Sequence, residues 1–183
     1  MKEDALKWNK RHTDDVMPIL QSDLLIKFVD ILPLGRVLDI ACGNGRNSRF
    51  LASRGFICEC VDISSVAIKK LQNIQGIIPV CLDLDEYKIT PDSYDVILDF
   101  YFLDRRLFDG IKRGLKRGGV FLMETFVADK DYPIDISEQK ILYKGELEEI
   151  FNDFEILFHD EIYIKRLGEK TKALQFCARK KSK

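Results

Sequence analysis

The chain has 183 residues, 46% of them apolar, 10% aromatic and 32% charged, which is the profile of one soluble globular domain and excludes disordered, fibrous and disulfide-stapled classes. A domain of this size buries about 70% of its unfolded surface, so it folds without a metal or a disulfide. The 29 basic and 30 acidic residues leave a net charge of −1, which argues against a general nucleic-acid binder, because phosphate-backbone binding shows as a basic excess or stripe.

From Ser22 to Leu32 the apolar residues Leu24, Leu25, Phe28, Val29 and Leu32 recur at helical spacing, and Pro33 and Gly35 stop the run. Arg36 to Ala41 is a short apolar run of the kind buried on both faces of a parallel sheet. It ends at Gly43 and Gly45, and a helix is expected from about Arg46 to Ser53. Phe56 to Val61 reads as the second strand, and Ser64 or Ser65 caps a helix carrying Val66, Ala67, Ile68 and Leu71. Ile77 to Leu82 and Tyr94 to Phe100 are the third and fourth strands. Leu103, Leu107, Ile111 and Leu115 then predict a helix closed by Gly118 and Gly119, ahead of a fifth strand from Val120 to Phe126.

Residues 127 to 144 lack a period and read as a long loop, where function often sits. A helix over Glu146 to Phe151 and two strands, Phe154 to Ile164 and Ala173 to Ala178, close the chain around a polar turn at Leu167 to Lys170. Five β-then-α units followed by a strand pair predict a doubly wound, mostly parallel seven-stranded sheet whose last strand is antiparallel. The expected organisation is a single domain, residues 1–183, with an N-terminal helical cap over 1–34 and an α/β core over 35–183. No apolar run approaches the roughly 20 residues that span a bilayer, and the N-terminus lacks a signal-peptide core, so a cytoplasmic protein is expected.

The five cysteines, at 42, 58, 60, 81 and 177, form neither a CxxC pair nor a zinc-ligand spacing, so no metal is expected, and Cys58 and Cys60, two apart on one face of a strand, read as small buried thiols. The chemistry begins at VLDIACGNG, residues 37 to 45. In an open α/β sheet ligands bind beyond the carboxyl ends of the strands, and Gly43 and Gly45 let the chain turn there and let a ligand approach. Asp39 precedes this turn. A dinucleotide fingerprint would place a third glycine at 48, where the chain has Ser48. Asp62 follows at the end of the second strand and offers two oxygens to a vicinal diol. Structural readings stand beside these: Asp39 as a turn-fixing acid, Asp62 as a cap ahead of the Ser64 helix.

The acid followed by xxxGxG at Asp39, Gly43 and Gly45, with Asp62, Asp83 and the Tyr94–Asp95 pair in order after it, resembles the class I S-adenosylmethionine-dependent methyltransferases over about Arg36 to Ala178. WNKR, ACGNGRN and GELEEIFNDFEIL are most similar to its small tellurite-resistance type. The resemblance implies a Rossmann-like methyltransferase fold and S-adenosylmethionine as cofactor. Its methionyl part falls to Asp39, Ala41, Gly43, Gly45 and the neighbourhood of Asp99, its ribose to Asp62 and Ile63, its adenine to Asp83 and Leu84, with Asp85 the rival of Asp83. It also implies in-line methyl transfer to a small-molecule acceptor such as a metalloid oxyanion, a thiol or a phenol, by a monomer or homodimer. The strand-four exit DFYF has none of the prolines of the nucleic-acid amine methylases.

Acceptor contacts are expected from Trp8, Arg11 and His12, from Asp99, Tyr101, Asp104 and Arg105, and from Glu124, Asp131 and Tyr132. His12, Arg46, Asp99 and Tyr101 are the candidate catalytic residues. Trp8 either closes over the cofactor or pins its segment to the core; His12 is a capping residue or a base; Arg46 orients an anion or pairs with a nearby acid. His159 reads as an ordinary strand residue. A nicotinamide-dependent oxidoreductase and a non-catalytic cofactor-binding module are the alternatives.

Overall fold

A computed structural model describes residues 2–14, 17–166 and 168–182. Helix α1 (Lys2–Thr13) and helix α2 (Asp23–Phe28), extended by a 3-10 turn at Val29–Ile31, precede strand β1 (Arg36–Ile40). Then come α3 (Arg46–Ala52), β2 (Ile57–Asp62), α4 (Ser65–Lys69), β3 (Ile77–Cys81), β4 (Tyr94–Phe100) and α5 (Phe108–Gly114). Strand β5 (Leu115–Phe126), helix α6 (Glu146–Ile150) and the strands β6 (Glu155–Arg166) and β7 (Glu169–Arg179) complete the chain.

The seven strands lie in the order β3-β2-β1-β4-β5-β7-β6. All neighbours are parallel except β7, which runs antiparallel to both β5 and β6. The expected doubly wound sheet with an antiparallel last strand is therefore what forms. The chain leaves β1 toward β2 and β3, then returns to place β4 on the other side of β1, so the strand order reverses between β1 and β4. In open sheets of this kind the ligand crevice lies at that reversal, beyond the carboxyl ends of the strands. Two apolar layers cover the sheet. Phe121, Phe151 and Phe176 pack on one face, with Phe121 and Phe151 stacked at 5.0 Å, while Leu25, Leu51, Leu71 and Leu122 pack on the other.

Two expectations need correction. The helix after β4 ends at Gly114 and not at Gly118 and Gly119. Leu115, although it keeps the helical spacing, is drawn into the sheet opposite Tyr94. The unit count was one too high, because residues 82 to 93 cross from β3 to β4 without a helix. Cys58 and Cys60 are buried, as expected, and Cys81 is exposed. Of the closing turn, Leu167 lies outside the described residues.

A polar cluster substitutes for the missing helix in fastening this crossover. Buried Glu59 on β2 accepts from Tyr87 of the crossover, from Tyr94 at 3.2 Å and from Arg36 at 2.6 Å, and the two tyrosine hydroxyls lie 2.9 Å apart. Removing a buried acceptor strands its donors at about 1 to 3 kcal/mol each. Glu59→Ala is expected to lower stability by about 2 to 4 kcal/mol, read as a lower urea midpoint at unchanged slope. Among the described residues no helix is long and apolar enough to cross a membrane.

Candidate active site

At the end of β1 the chain must turn within a few residues, and it does so through left-handed backbone. Ala41 (φ 51°), Gly43 (φ 56°) and Gly45 (φ 68°) all have positive φ. A Cβ at Gly45 would meet Leu71 Cδ2 at 2.6 Å, and one at Gly43 would meet His12 Cε1 at 3.3 Å. The turn is tied to β2 through Asp62, whose Oδ2 accepts from Gly43 N at 2.8 Å and whose Oδ1 accepts from Ser64 N at 2.7 Å. Asp62 thus joins the turn after β1 to the turn after β2, and Ile63 lies within the second of them.

Asp39 and Asp99, at the ends of β1 and β4, are 3% and 1% exposed. Asp39 accepts from Ser48 Oγ at 2.6 Å. Burial pushes its carboxyl up to about 7, with Ser48 and Arg46 opposing and Asp62 adding to the rise. Ser48 therefore fills the place of the missing third glycine as a donor to Asp39. Burial, followed by the charge of Asp39, raises the Asp99 carboxyl well above the usual carboxylate range, against the N–H of Phe102. Asp99 Oδ1 is buried without a hydrogen-bond partner, and no described Lys or Arg forms an ion pair with either acid. Two adjacent buried acids that lack a cation are costly in isolation and call for a positively charged ligand.

The N-terminal segment closes over this crevice through contacts that no local motif announces. Asn9 on α1 accepts from Ser64 Oγ at 2.8 Å and from Val66 N at 3.2 Å, and so joins Ser64 in capping α4. Lys70 Nζ donates to His12 O at 2.8 Å. His12 is 2% exposed and stands over Gly43. Trp8 is half-buried under the guanidinium of Arg11, 5.1 Å from its ring centroid. The next segment is held across the turn by Asn44 Nδ2 to Pro18 O at 2.8 Å and by Arg46 Nη1 to Leu20 O at 2.9 Å.

Beyond β4, Tyr101 adopts a left-handed backbone, φ 61°, and its hydroxyl donates to Glu124 Oε1 at 2.6 Å. The other expected acceptor contacts are engaged elsewhere. Arg105 binds Glu146 and the carbonyls of Gln139 and Ile141, so it fastens the loop after β5. Asp104 pairs with Arg106. Asp131 is exposed, and Tyr132 packs on Tyr163 of β6 at 5.1 Å. His159 pairs with Glu148 at 2.7 Å. At the end of β3, Asp83 accepts from Asp85 N at 3.1 Å, Asp85 itself pairs with Arg106, and Leu84 is partly buried against the core.

This geometry fits S-adenosylmethionine. The cation-free acids match its ammonium, the open turn its amino-acid end, and Asp62, with lone pairs left over after its two backbone bonds, its ribose. The comparisons point the same way. The family model described as tellurite resistance protein TehB matches residues 10–181. A Haemophilus influenzae protein named "probable S-adenosyl-L-methionine-dependent methyltransferase TehB" is 28% identical over 139 residues, 69% of this chain and 48% of that protein. "Hemagglutinin 1" of Eikenella corrodens is 26% identical over 137 residues, 69% of this chain and 46% of that one. The chain thus spans about half the length of the curated relatives it matches. The crystal structure of TehB from Haemophilus influenzae superposes with a TM-score of 0.77 at 24% identity, over 96% of this chain and 67% of that one. A Burkholderia thailandensis 1,6-didemethyltoxoflavin-N1-methyltransferase, crystallised with S-adenosylhomocysteine, gives 0.70 at 17% identity over 97% and 87% of the two chains. This chain belongs to the TehB family, the tellurite-resistance type of class I S-adenosylmethionine-dependent methyltransferases.

Proposed function

We propose that the chain is an S-adenosylmethionine-dependent methyltransferase acting on a small-molecule acceptor, built as one domain with an N-terminal helical cap on an α/β core. The observation that carries this reading is the buried pair Asp39 and Asp99, two acids without a cation beside a glycine turn, at the strand-order reversal. Asp39 and Asp99, with the backbone from Ala41 to Gly45, receive the aminium and carboxylate of the donor. Asp62 and Ile63 take the ribose, and Asp83 and Leu84 the adenine. When bound, the donor supplies a methyl group already activated by its sulfonium. The protein's own work is then to hold the acceptor in line and keep water out, and such positioning contributes on the order of 7 to 11 kcal/mol. The N-terminal cap, with His12 above Gly43, provides the cover.

Metalloid oxyanions, thiols and phenols are the acceptor classes this reading admits. Calorimetric titration tests it: S-adenosylmethionine and S-adenosylhomocysteine are expected to bind, and NAD is not. Binding of NAD alone would replace the reading with an oxidoreductase. Binding of the donor with no turnover on tellurite, selenite, thiols or phenols would leave a non-catalytic module. Ser48, donating to Asp39 where a dinucleotide fold places its third glycine, weighs against the oxidoreductase.

A further inference from the structure

We infer that Tyr101 and Glu124 form a proton relay that takes the proton of a hydroxyl-bearing acceptor during methyl transfer. This rests on the methyltransferase reading above and names the acceptor chemistry of the same site.

The relay is assembled from four separate elements. Tyr101 leaves β4 with φ 61°, a conformation that is strained for a non-glycine residue and is usually maintained at functional positions. Its backbone N–H donates to Glu124 O at 2.7 Å, and its hydroxyl donates to Glu124 Oε1 at 2.6 Å. Glu124 is 7% exposed on β5. Its other oxygen, Oε2, accepts from Gln175 Nε2 on β7 at 2.7 Å and from Ser22 Oγ, the cap of α2, at 3.3 Å. Glu124 is thus held from both sides, and Oε1 is the oxygen turned to Tyr101.

Burial, followed by the Glu124 carboxylate, raises the Tyr101 phenol well above its ordinary value, while Arg46 pulls it back down. Tyr101 is therefore a neutral phenol whose proton is committed to Glu124, and the lone pairs of its oxygen remain available to accept from a ligand. Tyr101 is 36% exposed, at the exit of β4 and two residues beyond Asp99, where in the proposed reading the methyl acceptor approaches the donor. A group that meets Tyr101 there must itself be a hydrogen-bond donor. This selects a hydroxyl over an oxyanion.

The step balances as follows. The acceptor oxygen's lone pair forms the bond to the methyl carbon, and the pair of the broken carbon–sulfur bond returns to sulfur, cancelling its positive charge. The acceptor's proton passes to Tyr101 Oη while the phenol's own proton passes to Glu124 Oε1. Glu124 ends neutral and releases the proton to water once the product has left. Tyr101 is the catalytic residue of this pair, and Glu124 acts through it.

The test compares phenol with thiophenol at about pH 8, where phenol keeps its proton, its hydroxyl titrating near 10 like that of tyrosine, and thiophenol is already a thiolate. Tyr101→Phe and Glu124→Gln are expected to lower kcat with phenol by about 100-fold, the scale of general-base catalysis, and to lower it at least tenfold less with thiophenol. Affinity for S-adenosylmethionine, measured by calorimetry, should stay within about twofold in both variants. Equal losses with the two acceptors would show a merely structural pair and overturn the relay. Donor binding without methylation of phenol by the unaltered protein would also overturn it, while the methyl-donor reading survives. Absence of donor binding would remove both.

Discussion

Asp62→Ala is expected to weaken the binding of S-adenosylmethionine by at least about 100-fold, roughly 3 kcal/mol, when affinities are compared by titration calorimetry. The carboxylate has two duties. Its oxygens already accept from Gly43 N and Ser64 N at 2.8 and 2.7 Å, and in the proposed reading its remaining lone pairs are the ones offered to the ribose. Alanine removes the ribose contact, worth about 1.5 to 3 kcal/mol as a charge-assisted hydrogen bond. It also frees the Gly43 turn, so part of the binding energy must then be spent on ordering it. Two partly buried N–H groups are stranded as well, so the free protein should lose about 2 to 4 kcal/mol of stability. Asp62→Asn keeps one acceptor oxygen and should fall between the two. Unchanged affinity in a folded Asp62→Ala protein would place the ribose elsewhere.

That double duty also shows how far the sequence can be read. The β1 turn was legible because it is local: an acid, three residues and two glycines define a bend that few other arrangements accept. The strand order followed from alternation of short apolar runs with helical ones. What lay beyond reach depended on residues far apart in the chain. Asn9 caps a helix that begins at Ser65, and nothing in KWNKRH signals it. Gln175 comes to Glu124 only because β7 inserts between β5 and β6 in the antiparallel sense. Leu115 fits the helical period of its segment, yet the sheet, by pairing it with Tyr94, overrides that local preference. Residues 82 to 93 carry no helical period, and the crossover from β3 to β4 accordingly has no helix, so the alternation of the other units does not extend to it. The Glu59 cluster that compensates uses polar residues from four segments, a pattern invisible to hydrophobic periodicity.

The second large effect is electrostatic, and its sign can be worked out from Asp39. In the folded protein burial pushes this carboxyl up to about 7, from the ordinary aspartate value of about 4. The free folded protein therefore holds a proton that the unfolded chain has already lost. The contribution of this carboxyl to stability is full in acid and is lost by about 1.4 kcal/mol per pH unit as pH rises from about 4 toward 7, about 4 kcal/mol in all, then levels off. Asp99, raised in the same direction, deepens that decline. A bound cation reverses the preference, because it pairs with the ionised acid and its arrival expels the proton. Affinity for S-adenosylmethionine is accordingly expected to rise about tenfold between about pH 6 and pH 8 and to flatten above, with protons released on binding. Calorimetry in buffers of different ionisation enthalpy measures both quantities. Asp39→Asn should abolish most of this slope and bind less tightly at the upper end, while making the free protein more stable there. The opposite trends, in affinity and in free-protein stability, come from one carboxylate, so they must vanish together. An affinity that ignores pH in the unaltered protein would mean that the aminium does not meet this pair of acids.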